Sequence, residues 1–195
     1  MPEGGAEEPP QPLTEDRAAR SYALAQDANV SANGLKQNQS KYVQAGTGPA
    51  YWGPGDEITF LITGEETGGA VFMAELSVPP AGGPPPHIHH HEDESFYVRE
   101  GTLAIRMGDR TVNAAPGDFI HIPRGTVHCF KNTGNGNAKM LVTFTPAGME
   151  KFFEEAFHPV GDRSAGPPLL TEELLARLLG AAPKSGLEFL PPEMH

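Results

Sequence analysis

From Glu57 to Thr145 the chain is a series of short runs of β-branched, aromatic and aliphatic residues, each closed by Gly, Pro or Asn. Breaks about every eight to twelve residues give one strand and one turn per run, the spacing of an antiparallel sandwich or barrel. The runs are Ile58 to Thr63, Ala70 to Val78, Phe96 to Arg99, Leu103 to Met107, Arg110 to Ala114, Phe119 to Ile122, Val127 to Asn132 and Lys139 to Thr145. Between two of them Gly108-Asp109 suits a tight hairpin.

The 195 residues suffice for one domain with a full core and some tail. Gly 23 and Pro 20 call for many turns, yet stay below the level at which disorder is the default. Lys+Arg 14 against Asp+Glu 25 leaves a net charge of -11, a surface that repels phosphate backbones, so nucleic acid and anionic membranes are poor partners. A single cysteine, Cys129, rules out an internal disulfide framework. The opening MPEGGAEEPP has neither a basic start nor an apolar stretch. Nowhere does the chain approach the roughly 18 apolar residues of a membrane span, and a soluble, cytoplasmic protein is expected.

Outside the strand region the pattern changes. Residues 1–40 are rich in proline and small polar residues, with too little apolar surface to offset the entropy of ordering them, and are expected as an extended arm. Within it Thr14 suits the cap of a short helix from Asp16 to Gln26. After Pro146, the residues Met149, Phe152, Phe153, Ala156 and Phe157 fall on one helical face. A second helix is expected after Thr171, with Glu172 and Glu173 in its first turn, Leu174, Leu175, Leu178 and Leu179 on one side, and Gly180 ending it. The expected division is an arm over 1–40, a β-barrel over 41–146, and helices with a tail over 147–195.

Four of the eight histidines crowd into Pro86 to Glu94, which reads PHIHHHEDE. In a strand, residues two apart share a face, so His87 and His89 can offer both imidazoles to one metal ion while Ile88 faces away. A barrel interior can add a third imidazole and a carboxylate from neighbouring strands, and His128 and Glu94 are suitably placed. An alternative register pairs His89 with His91. Cys129 follows His128 directly and points to the opposite strand face, a structural position for a buried, inert thiol. His121 either faces the cavity or is a structural histidine, and His158 reads as one favoured by a helix C-terminus.

These residues resemble the two signature motifs of the cupin superfamily. His87-Ile88-His89, four residues to Glu94 and six more to Gly101 match the first motif, except for its leading glycine, whose place is taken by Ala81. Gly117, Pro123, Gly125, His128 and Asn132 match the second throughout. The rival pair His89 and His91 restores Gly83 as the leading glycine but leaves too few residues before Glu94. Over about residues 42–157, including PPPHIHHHEDESFYVREG and PRGTVHCFKNTG, the chain is similar to single-domain quercetin dioxygenase-like cupins. The resemblance implies an all-β double-stranded β-helix, or jelly-roll barrel, with C-terminal helices, an N-terminal arm and a homodimeric assembly.

It also implies a metal-dependent flavonol 2,4-dioxygenase, cleaving a flavonol such as quercetin with O2 and releasing CO and a depside. The cofactor is one divalent transition metal ion per chain. Three histidines and a glutamate suit Ni, Mn, Co, Fe or Cu, of which the resemblance favours Ni or Mn. Such a site carries one net positive charge, which a bound flavonolate would cancel, and neutral sites are far cheaper to bury. Glu94 is expected as both ligand and general base for the flavonol hydroxyl. Alternation along the strands nominates Phe96, Leu103, Ile105, Met107 and Phe130 as substrate lining, with Tyr51 and Trp52 at the entrance, although core packing explains each equally well. The helix bearing Phe152, Phe153 and Phe157 is either a lid or packed outside the barrel. Rival functions are another oxygenase, lyase or isomerase on the same scaffold, or a non-catalytic metal or small-molecule binding module.

Overall fold

The computed structural model describes residues 39–162, 167 and 169–191. The expected helix from Asp16 to Gln26 and nearly all of the arm lie outside these residues, as do the last four residues of the tail.

Two antiparallel sheets hold the strands of the described residues. The first contains β1 (Ala50–Trp52), β2 (Glu57–Ile62), β3 (Phe72–Val78), β5 (Asp93–Glu100), β8 (Phe119–Ile122), β10 (Ala138–Thr145) and β11 (His158–Pro159), in the order β11-β1-β2-β3-β10-β5-β8. The second contains β4 (His87–His89), β6 (Leu103–Met107), β7 (Arg110–Ala114), β9 (His128–Asn132) and β12 (Leu187–Phe189), in the order β12-β4-β9-β6-β7. From β3 to β10 the chain passes back and forth between the sheets, except at the β6–β7 hairpin, and so winds a jelly roll around one apolar interior.

Alternation creates that interior. On β3, Phe72, Ala74, Leu76 and Val78 are buried while the residues between them are half-buried, and β10 does the same with Ala138, Met140, Val142 and Phe144. Their register sets Phe144 opposite Phe72 and Val142 opposite Ala74, and β5 adds Phe96 and Val98 on the other side of β10. The second sheet answers with Leu103, Ile105 and Phe130, and the Phe96 and Phe130 rings meet edge-on at 5.6 Å across the two layers. A one-residue slip would turn every one of these side chains to the opposite face, so the apolar pattern itself pins the register.

Among the described residues three helices accompany the sheets: α1 (Gly64–Thr67), α2 (Glu150–Ala156) and α3 (Glu172–Ala181). Thr171 caps α3 by accepting from the Leu174 amide at 3.1 Å. Gly180, expected to end this helix, lies inside it. Leu174, Leu178 and Ala181 are all buried, and their packing outweighs the roughly 1 kcal/mol cost of a helical glycine. The chain turns only after a further 3-10 turn, Ala182–Ser185, where Gly186 adopts φ 66 under the His91 ring. Arg177 ties α3 to the end of α2, donating to the carbonyls of Glu155 at 2.9 Å and Phe157 at 3.0 Å and to His158 Nδ1 at 3.3 Å. The cation that serves the C-terminal end of α2 is therefore Arg177, and His158 is its neighbour.

Buried Glu150 accepts from the backbone amides of Gly64 and Gly148, each at 2.9 Å, which fastens α1 to the start of α2. From the 3-10 turn the chain returns as β12 and pairs with β4, Leu187 opposite His89 and Phe189 opposite His87. This last strand is absent from the sequence reading, as are β1, β11 and α1. Each is a few residues long and has no room to display a period.

Candidate metal centre

β4 lies between β12 and β9, and its alternation buries His87 and His89 while Ile88 turns outward. Its pairing with β9 brings His87 opposite His128. From the facing sheet, β5 contributes Glu94, on the same inward face as Phe96 and Val98. β5 thus begins three residues before the apolar run, because a carboxylate occupies a position that the core pattern would give to a hydrophobe. Three imidazoles from one sheet and one carboxylate from the other converge between the layers, all four buried, with one donor atom from each within 4.8 Å of the rest.

The hydrogen bonds orient these rings. The Nδ1 atoms of His87 and His128 each meet the carbonyl oxygen two residues back, Pro85 and Thr126, at 2.9 Å. An Nδ1–H donating to a carbonyl leaves the Nε2 lone pair turned inward, the form that a metal ion requires. His128 Nε2 lies 2.7 Å and His89 Nε2 3.6 Å from Glu94 Oε2. Burial and the neighbouring His128 push His87 down to about 3, so its imidazole is neutral at physiological pH. Burial, His87 and His128 depress His89 further. Burial opposes a charge on His128, but the Glu94 hydrogen bond and charge outweigh it and raise that histidine, while burial raises Glu94 itself. Two neutral imidazoles, His87 and His89, and a third, His128, hydrogen-bonded to the Glu94 carboxylate fit a divalent transition ion, which would take the place of the proton between His128 and Glu94.

His90 is exposed and reaches Glu188 at 2.8 Å, and His91 is exposed over Gly186. Neither joins the cluster, so geometry favours the His87 and His89 register over its rival. His121 is exposed and bonds Ser95 Oγ at 3.0 Å. Cys129 lies on the opposite face from His128, half-buried instead of fully buried.

A cavity of about 570 Å³ opens beside the cluster and is lined by His87, His89 and Glu94. Phe130 lies on its wall, but Phe96, Leu103 and Ile105 are packed into the core, where the strands bury them between the sheets. Met107, Tyr51 and Trp52 likewise sit outside the cavity lining, Tyr51 tilted against Phe60 at 4.9 Å and Trp52 bonded to Glu57. The walls come instead from the C-terminal elements: Phe152, Phe153 and Phe157 near α2, Leu175, Leu178 and Leu179 on α3, and Leu187 and Phe189 on β12. Strand alternation reports which residues face inward. It does not distinguish the packed interior from the open end of a barrel.

Two acidic residues emerge only from the structure. Asp56, in the turn between β1 and β2, lines the cavity, and burial pushes its carboxyl up to about 6. Glu92 is buried beside His89 and is pushed up to about 7, chiefly by burial. Neither has a sequence signal beyond being acidic, although Glu92 stands within the histidine-rich segment.

Comparison with known proteins agrees with this construction. Residues 74–144 match the cupin domain model. Over 106 residues the chain is 27% identical to quercetin 2,3-dioxygenase of Bacillus subtilis, covering 54% of this chain and 31% of that protein, so it spans about a third of that relative's length. The structure of a predicted oxalate decarboxylase from Thermotoga maritima superposes with TM-score 0.51 at 21% identity, over 54% of this chain and 99% of that one. KdgF from Halomonas sp. gives TM-score 0.50 at 16% identity, over 56% and 94%; at such identities these two likenesses speak to the fold. The matched segment contains the strands that carry all four converging side chains, so the likeness to the cupin domain and the candidate site rest on the same residues.

Proposed function

We propose that this chain is a metal-dependent dioxygenase that opens the heterocyclic ring of a flavonol such as quercetin with O2, releasing CO and a depside. The observation that carries the proposal is the buried cluster of His87, His89, Glu94 and His128 at the wall of an aromatic-lined cavity. About 570 Å³ is within the roughly 300–1,000 Å³ range of sites that enclose small organic molecules. The likeness to a quercetin 2,3-dioxygenase supports the choice of substrate class.

His87, His89, His128 and Glu94 would hold one divalent ion, with Ni or Mn favoured, which supplies Lewis acidity toward the flavonol oxygen and a partner for dioxygen. The balance of the reaction is simple: one ring carbon leaves as carbon monoxide and both atoms of dioxygen enter the depside. Glu94 accepts the proton of the flavonol 3-hydroxyl when its carboxylate turns toward the substrate. Phe130, Phe144, Phe152 and Phe153 offer planar faces to the ring system and keep water from it. Glu94→Gln is expected to slow turnover far more than it weakens flavonol binding, and an unchanged rate would remove Glu94 from the mechanism.

The test is loss of quercetin absorbance together with oxygen uptake and product analysis, on protein loaded separately with Ni, Mn, Co, Fe and Cu. Depside formation proportional to oxygen consumed, and abolished by His128→Ala, supports the proposal. Absence of turnover in every metal form would refute the flavonol assignment. Turnover that needs no oxygen would assign a lyase or isomerase instead.

A further inference from the structure

Among the described residues, two buried side-chain atoms have no hydrogen-bond partner, His89 Nδ1 and Glu92 Oε2. They face each other at 4.0 Å, and both side chains are 4% exposed. Buried polar groups are almost always paired, so two orphans that confront one another need a common explanation.

The other two histidines of the cluster suggest it. His87 and His128 each have Nδ1 held by a carbonyl oxygen two residues back, which directs Nε2 inward. His89 has no such carbonyl bond, since the buried atom beside its Nδ1 is the Glu92 carboxylate oxygen. Its Nε2 is turned toward Glu94, as is that of His128. Glu92 belongs to the short link between β4 and β5, and the chain comes close behind its carboxylate: a Cβ on Gly148 would lie 2.9 Å from Glu92 Oε1. The carboxylate is thus confined between the Gly148 backbone and the His89 ring.

We propose that Glu92 is a positioning residue for the metal site, accepting a hydrogen bond from His89 Nδ1–H so that His89 presents Nε2 to the ion. A small rotation of the carboxylate brings the pair from 4.0 Å to the 2.7–3.2 Å of an N–H···O bond. The arrangement is a carboxylate–histidine–metal relay, in which the outer carboxylate fixes the tautomer and raises the basicity of the ligand. The proposal rests on the metal reading of the cluster but adds to it a residue with no place among the four donors.

The experiment measures Zn(II) and Ni(II) affinity by chelator competition for the wild-type chain, Glu92→Gln and Glu92→Leu. Tautomers are read from imidazole 15N spectra of the diamagnetic Zn(II) form. Removing an outer partner of a metal-bound histidine typically weakens binding by about 10–100-fold. Glu92→Leu should lose affinity by that factor, Glu92→Gln should recover much of it because its amide oxygen still accepts, and His89 in the wild type should carry its proton on Nδ1. If Glu92→Leu does not fold, the wild-type tautomer and the Glu92→Gln affinity decide the matter alone. Wild-type affinity in folded Glu92→Leu, or a wild-type His89 protonated on Nε2, overturns the proposal and leaves the metal reading intact. A wild-type chain that binds neither ion overturns both.

Discussion

Replacing Asp56 with Asn should stabilise the protein near neutral pH and do nothing for it in mild acid. Burial in the cavity wall raises the Asp56 carboxyl from its ordinary 3.8 to about 6. The folded state therefore holds this proton more tightly than the unfolded chain, and ionising it costs stability. The penalty is absent below about pH 4, grows between about pH 4 and 6, and is complete above the folded value. A displacement of about two pH units at about 1.4 kcal/mol each gives roughly 3 kcal/mol as an upper bound. Water reaching the half-buried carboxylate lowers this to about 1–3 kcal/mol. Urea unfolding of metal-free wild type and Asp56→Asn, measured together at pH 7.5, 6, 5 and 4, supplies the test. Subtracting the two curves cancels the titration of the histidine cluster, provided the sites do not couple. The variant should be more stable by about 1–3 kcal/mol at pH 7.5, with a difference that vanishes near pH 4. A variant no more stable at pH 7.5, or a difference independent of pH, would refute the reasoning.

Other perturbations separate the parts of the fold. His128→Ala removes the partner of a buried carboxylate, Glu94, and in metal-free protein should cost about 3–5 kcal/mol in urea unfolding at neutral pH; a loss under about 1 kcal/mol would contradict the pairing. Phe144→Ala deletes a ring that packs against Phe72 at 5.7 Å, Phe153 at 6.1 Å and His89 at 5.3 Å, and should cost about 3–5 kcal/mol by the same assay. Thr171→Ala removes the cap of α3 and should cost about 1 kcal/mol, seen as faster amide exchange across Glu172–Ala181 with β3 unchanged. Equal exchange in both elements would show that the cap contributes nothing local.

The sequence displays the barrel because its strands obey a period of two. Phe72, Ala74, Leu76 and Val78 face inward as alternation requires, and the Gly108-Asp109 hairpin joins β6 to β7 with Met107 opposite Arg110. The four converging residues are legible for a related reason: H-x-H in a strand places two imidazoles on one face, and the glycine- and proline-bearing turns before His128 bring a third to it. The cavity is legible only in Phe130 and in the Phe152, Phe153 and Phe157 face of the helix after Pro146. Its walls are built by α2, α3 and β12, whose positions depend on tertiary contacts such as Arg177 with Glu155 and Phe157, and Leu187 beside His89. Leu175 and Leu179 illustrate the difference: helical periodicity groups them with Leu174 and Leu178, yet they are exposed at the rim while their neighbours are buried. Asp56 and Glu92 escape for the opposite reason, since an acidic residue in a turn looks solvated until the chain closes over it.

Everything proposed for the site depends on His87, His89, Glu94 and His128 binding one metal ion together. That binding is tested most directly by the metal content of chelator-stripped protein after incubation with Ni(II) or Mn(II) and exhaustive dialysis, for wild type and His87→Ala side by side. One ion per chain is expected in the wild type and close to none in folded His87→Ala. Equal content in the two proteins, or a wild type that retains no ion of either kind, would contradict it.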